Sequence, residues 1–195
     1  MMKKPNYCKS VVIVHGKCEL LLAEYVKSNL HLPIEIYAEN KGKTSIQIDG
    51  LKNILGNNIF KNKRSVKKTY IVEEENGKFK NFSLIIMDLD DTSEENKKKY
   101  ISGEMFENHW LSQYIIPIWN KENLDEVLLS LDKIDELPND KEKGKVYRNL
   151  FPKNVGKSDR QQVEELMREF EKCNKTNMQL FLKICLDSMK IEGEE

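Results

Sequence analysis

Two short stretches, Val11–Val14 (VVIV) and Leu84–Met87 (LIIM), are apolar at every position. A strand with one wet face alternates apolar and polar residues, whereas an unbroken apolar run suits a strand covered on both faces. Strands of that kind belong to parallel sheets flanked by helices, so these two runs alone argue for an α/β chain.

The segments around them keep to that plan. Val11–Val14 ends at His15-Gly16, and a helix is expected from Glu19 to Leu30, with Leu20, Leu21, Ala23 and Val26 on one side and Glu24 and Lys27 on the other. Leu32–Ala38 alternates like a second strand, and the polar turn NKGK leads into TSIQIDGLKNIL, which reads as a helix capped by Thr44 or Ser45. Asn76-Gly77 between two strand-forming runs predicts a two-residue hairpin whose second arm continues into Leu84–Met87. TSEENKKKY opens a helix with Glu94 and Glu95 near its positive end. FENHWLSQ continues helical, and Tyr114–Asn120 is a further strand in which Pro117 suits an edge.

The rest is mainly helical: ENLDEVLLSLDKI, a polar loop DELPNDKEKGK, SDRQQVEELMREFEKC with a Ser cap, and NMQLFLKICLDSMK. The expected architecture is a three-layer α/β fold with a mainly parallel sheet over residues 1–120. A helical C-terminal extension, residues 121–195, packs on it to form a single compact unit.

Charge excludes one simple function class. Lys+Arg and Asp+Glu both number 32 among 195 residues, so no global field draws the chain to nucleic acid, and any such binding needs a local patch. No apolar stretch is long enough for a membrane span, and MMKKPNYCKS does not lead into a signal-peptide core. Cys8, Cys18, Cys173 and Cys185 form neither a CxxC pair nor a regular framework, which fits reduced thiols in a cytoplasmic protein.

Leu84–Met87 runs straight into Asp88-Leu89-Asp90-Asp91-Thr92. In an extended segment Asp88 and Asp90 project to the same side, and two close carboxylates repel unless a cation lies between them. Mg²⁺, with its preference for hard oxygen ligands, is the natural choice, and the carboxyl ends of parallel strands are where ligands bind. The plainer alternative is that Asp88 ends a strand and Asp90–Thr92 caps the next helix.

Three families offer parallels. DLDDT resembles the first motif of haloacid-dehalogenase-type phosphatases, which would make Asp88 a nucleophile and Asp90 an acid/base. In that family, however, the motif sits on an early strand and a second acidic pair follows a later one. GKTS (Gly42–Ser45) with LIIMD resembles part of a P-loop NTPase, but Tyr37 stands where the phosphate loop needs its first glycine.

The third parallel covers about residues 10 to 120. VVIVHGKCELLLAEYV followed by LIIMDLDD resembles the TOPRIM domain, particularly the nucleases of OLD-type and RloB-type proteins of bacterial phage defence and mobile elements. Those carry an apolar strand ending in Glu-Gly, often Glu-Gly-x-x-Glu, and a later one ending in D-x-D. The resemblance implies a small nuclease in which Mg²⁺ or Mn²⁺ stabilises phosphoryl charge and generates the attacking hydroxide. Asp88, Asp90 and Glu19 would be its catalytic carboxylates and metal ligands, with Asp91 a further metal-site residue.

His15 occupies the place of the family's first Glu, and imidazole suits Mn²⁺, Fe²⁺ or Zn²⁺ better than Mg²⁺. Its plain reading is a strand-end histidine hydrogen-bonded to a neighbouring loop. The departure implies a second role for such a chain, a catalytically degenerate TOPRIM-like binding or regulatory module. Lys43 and Thr44, at an expected helix start, would meet phosphate or nucleic acid. Expected partners are nucleic acid and a separate ATPase subunit or a second copy of the chain, with no membrane. Lys61, Lys63, Arg64, Lys67 and Lys68 read as a solvated loop or a backbone-tracking patch. Trp110, Trp119 and the apolar residues Leu180, Phe181, Ile184 and Leu186 are expected to serve the core.

Overall fold

The computed structural model describes residues 6–87, 92–153 and 159–190. Its strands, in chain order, are β1 (Asn6–Tyr7), β2 (Ser10–Val14), β3 (Ile34–Tyr37), β4 (Tyr70–Ile71), β5 (Glu74–Glu75), β6 (Lys78–Phe79), β7 (Ser83–Met87) and β8 (Ile115–Ile118). The α-helices are α1 (Lys17–Leu30), α2 (Leu51–Leu55), α3 (Lys63–Thr69), α4 (Glu94–Ser102), α5 (Leu124–Ser130), α6 (Asp140–Leu150), α7 (Arg160–Glu171) and α8 (Met178–Lys190).

Four strands make the central sheet in the order β3-β2-β7-β8, all parallel. The two apolar runs are its inner strands, paired from Ser10↔Ser83 to Val14↔Met87. Both are buried along their whole length because helices cover both faces. Val12, Val14, Ile85 and Met87 pack with α1 and with residues of α5 to α8 on one face. Val11, Ile13, Leu84 and Ile86 pack with Leu51, Val66, Tyr100 and Phe106 on the other. Each fully buried Val, Ile or Leu side chain contributes roughly 1.5–3 kcal/mol, so the inner pair of strands anchors the domain.

The segment beyond residue 120 does not stand apart. Tyr147, Phe151, Val163, Phe170, Phe181 and Leu182 share one apolar cluster with Val12 and Leu22. Of the four residues singled out on the last helix, Phe181 and Leu186 are buried and Ile184 packs against the same cluster, while Leu180 is exposed. Trp110 and Trp119 are partly buried against the opposite cluster, and Trp110 Nε1 donates to the Phe60 carbonyl at 2.7 Å.

Several local expectations are corrected. Residues 44–47 are not helical: Thr44 and Ser45 lie in an irregular link, and a 3₁₀ turn at Ile48–Gly50 precedes the short α2. Ile46 and Ile48 are the reason, since both side chains are buried under the sheet, which fixes the link in an extended course. The Asn76-Gly77 turn forms, with φ of 49° and 76°, but joins only β5 and β6. That hairpin is a separate two-stranded piece, and β7 begins after it.

The basic run is helix α3, capped by Asn62 accepting from Ser65 N, rather than a loop. FENHWLSQ holds short 3₁₀ turns instead of a continued helix, because Gly103, at φ 80°, ends α4. Half of the polar loop DELPNDKEKGK is α6, started by the Asn139 cap. The cap of α7 is Asp159, accepting from Gln162 N at 3.2 Å. Pro117 lies in β8, an edge strand of the sheet, as its missing N–H requires.

Candidate functional site at the carboxyl edge of the sheet

In chain order the sheet runs second, first, third, fourth strand. The connection from β2 goes to β3 on one side, and the next crosses to β7 on the other. An open parallel sheet has its ligand crevice at such a reversal, outside the carboxyl ends of the two strands involved. Here those ends are Val14 and Met87, paired with each other.

The chain leaves β2 through His15 and Gly16 and turns at once into α1. Gly16 N–H donates to Glu19 Oε2 at 3.2 Å, so the Glu19 carboxylate folds back over the first turn, where the helix dipole favours negative charge. Glu19 is nearly buried, at 7% exposure. His15 Nδ1 lies 2.7 Å from the Ile46 carbonyl and must donate to it, which leaves Nε2 as the acceptor of the neutral ring. The plain reading of His15 as a strand-end histidine bonded to a loop therefore holds for Nδ1.

Glu19 and His15 line a cavity of about 390 Å³ together with Gly16, Lys17, Cys18 and Ser45. A Cβ placed on Gly16 would lie 3.6 Å from Glu19 Oε2 and 3.8 Å from Ser45 Oγ, so those two oxygens converge on the same backbone. Lys43 and Thr44 are exposed and lie outside the cavity lining, while Ser45 lies within it. Asp88, Asp90 and Asp91 lie outside the described residues. Among the described residues, no group of three or more His, Cys, Asp and Glu side chains could hold a metal ion.

The far wall was not foreseen. Asp125, in the first turn of α5, is buried; Tyr147 of α6 donates to its Oδ1 at 2.7 Å and Lys143 reaches Oδ2 at 2.5 Å. Cys18 Sγ approaches the same Oδ1 at 3.9 Å. Burial, with the Glu19 and Asp125 charges, pushes the Cys18 thiol up to about 12. Burial, then Cys18 and Asp125, also raises the Tyr147 hydroxyl far above the ordinary tyrosine value. Burial opposes the Lys143 ammonium, but its hydrogen bond to Asp125 and the surrounding negative groups outweigh this and raise its pKa. In sequence, Asp125 falls within the helical stretch ENLDEVLLSLDKI and Lys143 within the polar loop DELPNDKEKGK, with nothing in either to pair them.

The basic helix lies elsewhere. Lys63 and Lys67 both pair with Glu74, whose carboxyl they hold below its usual range, and Lys63 also sits 5.7 Å from the Phe79 ring centroid. Two of that run's five charges are thereby engaged within the protein.

The fold and site define an α/β protein with a parallel sheet and a polar cavity at its carboxyl edge. The chain matches no family model, no curated protein and no solved structure. No described helix is long and apolar enough to cross a membrane.

Proposed function

We propose that this is a TOPRIM-like, metal-dependent nuclease acting at the carboxyl edge of β2 and β7. One observation carries the reading: the two inner strands end side by side at Val14 and Met87, and the Glu19 carboxylate accepts from Gly16 N–H, two residues beyond Val14. Asp88 is the next residue in the chain after Met87, and Asp90 follows two later. A divalent ion, Mg²⁺ or Mn²⁺, held by Asp88, Asp90 and Glu19 would stabilise phosphoryl charge and lower the pKa of an attacking water. Asp91 would assist at that metal, and Lys43 and Thr44, exposed on the link before α2, would contact the nucleic acid. A separate ATPase chain or a second copy of this chain is the partner that fits the reading.

The test is titration calorimetry with Mg²⁺ and Mn²⁺ on wild type and on Asp88→Ala/Asp90→Ala, followed by cleavage assays on DNA and RNA. Metal binding and cleavage that both vanish in the double variant support the reading. Cleavage that survives the double variant overturns it.

His15 favours a second reading, a relative that keeps the fold and binds without turnover. The imidazole replaces a carboxylate where the ion needs negative charge, and its Nδ1 is committed to Ile46. Oligonucleotide binding without cleavage by either ion would select it.

A further inference from the structure

The wall of the cavity formed by α5 and α6 has a chemistry that the metal reading does not use. Asp125 is buried, yet its two oxygens face two different donors, the Tyr147 hydroxyl and the Lys143 ammonium. A buried carboxylate with one partner too few is costly, and this one is satisfied on both sides. The consequence falls on Lys143. A lysine has three N–H donors on a flexible stem, and the bond to Asp125 fixes where the ammonium sits while using one of them. Its side chain keeps 30% exposure, so it reaches solvent from a fixed point on the cavity lining.

The charges around the cavity agree with an anion as the visitor. Its described lining carries Lys17, Lys141 and Lys143 against Glu19 and Asp125, with Ser45 and Asn123 as neutral polar groups. Asp125 neutralises Lys143 only in the sense of holding it: a lone buried carboxylate would repel a phosphate, whereas the pair presents the ammonium outward. We infer that Lys143, positioned by Asp125 and Tyr147, binds a backbone phosphate of the nucleic acid that enters this cavity, so that the phosphate lies between Lys143 and the Glu19 side of the site. This deepens the nuclease reading and rests on it for the identity of the ligand. Asp125 and Tyr147 are positioning residues, acting through Lys143.

The experiment is fluorescence anisotropy with a labelled single-stranded DNA 20-mer, in a series of KCl concentrations with Ca²⁺ replacing the catalytic ion. It uses wild type, Lys143→Gln, Lys143→Arg, Tyr147→Phe and Lys145→Gln, the last an exposed lysine of α6 outside the cavity lining. Glutamine can still donate to Asp125, which protects the fold, and a thermal melt of each variant checks this. The expected result is that Lys143→Gln weakens binding about tenfold. The same variant should make the slope of log affinity against log salt shallower by roughly 0.7, the loss of one phosphate contact on a single strand. Lys143→Arg should recover most of the affinity, Tyr147→Phe should lose part of it with the salt slope unchanged, and Lys145→Gln should bind like wild type.

Wild-type affinity and slope in a folded Lys143→Gln overturn the inference, as does an equal loss in Lys145→Gln, which would mean diffuse charge. Absence of any binding by wild type overturns it too. Failure of the nuclease reading looks different: no cleavage with Mg²⁺ or Mn²⁺ and no effect of Asp88→Ala, while the Lys143 dependence of binding persists.

Discussion

The hydroxyl of Tyr100 lies 2.6 Å from the carbonyl of Ile86, one residue before β7 ends, and 3.0 Å from the carbonyl of Ile118 at the end of β8. Pro117, which stands opposite Ile86 in the register, turns its backbone away from β7, its carbonyl accepting from Asn177 Nδ2 at 3.0 Å, and the buried phenol adds a donor at this edge from α4. The side chain thus ties the helix after the acidic segment to the edge from which that segment leaves the sheet.

Tyr100→Phe should therefore cost about 1–2 kcal/mol, since it removes the donor and leaves buried carbonyl groups short of a partner without opening a cavity. Urea unfolding of the variant measures it, and an unchanged midpoint would show that those carbonyls are satisfied without the phenol.

Gly42 marks a close approach of backbone to backbone. It adopts φ 76°, and a Cβ there would lie 3.0 Å from Leu20 Cδ2 and 3.3 Å from Lys17 Cα. Gly42→Ala combines left-handed strain with a clash against α1, and should destabilise by roughly 1–3 kcal/mol. Because Gly42 also lines the cavity, the shift should appear in oligonucleotide affinity as well as in the melting temperature. Wild-type behaviour in both would mean that the turn is free to relax.

The cysteines should divide by environment. Burial pushes the Cys8 and Cys18 thiols up to about 12 and raises Cys185 too, whereas Cys173 is partly exposed. A thiol reagent at pH 8 should label Cys173 first in the native protein, and all four cysteines only after unfolding, because the thiolate is the reactive form. Rapid native labelling of Cys18 would contradict the closed packing of the Asp125 network.

His109 gives a pH dependence of defined sign. Burial lowers its pKa against a smaller opposing effect of a backbone hydrogen bond to Leu55, and its Nδ1 accepts from Leu111 N at 3.2 Å. A histidine with a depressed folded pKa binds more protons unfolded than folded, so its stabilisation is present above the unfolded value of about 6.5 and is lost as pH falls below it. Chemical unfolding at pH 7.5 and 5.5 should show a loss that is smaller in His109→Gln. An equal loss in that variant would assign the effect to other groups.

Where the sequence carried enough signal, the fold was readable. The unbroken apolar runs specify strands buried on both faces, and the helix faces of α1, α5, α7 and α8 follow from apolar spacing, because burial and periodicity are local properties of the chain. The same holds for the Asn76-Gly77 turn and for Pro117, where backbone chemistry leaves few choices. The failures share a cause. Residues 44–47 spell a capped helix start, yet Ile46 and Ile48 are taken up by the sheet's lower face, and tertiary burial outweighs a few tenths of a kcal/mol of helix propensity.

The site divides in the same way. The sequence by itself determined the apolar strands, the acidic segment beginning at Asp88 and the Glu19 that follows Gly16 by three residues, which is the spacing of a capping box. Only the tertiary structure decided that β2 and β7 are neighbours in register, and that Asp125, held by Tyr147, and Lys143 close the cavity from more than one hundred residues beyond Glu19. The physical reason is that spacing encodes what one element presents to its own surroundings. Which elements meet is settled by packing many apolar faces at once, and that leaves no mark at any single position.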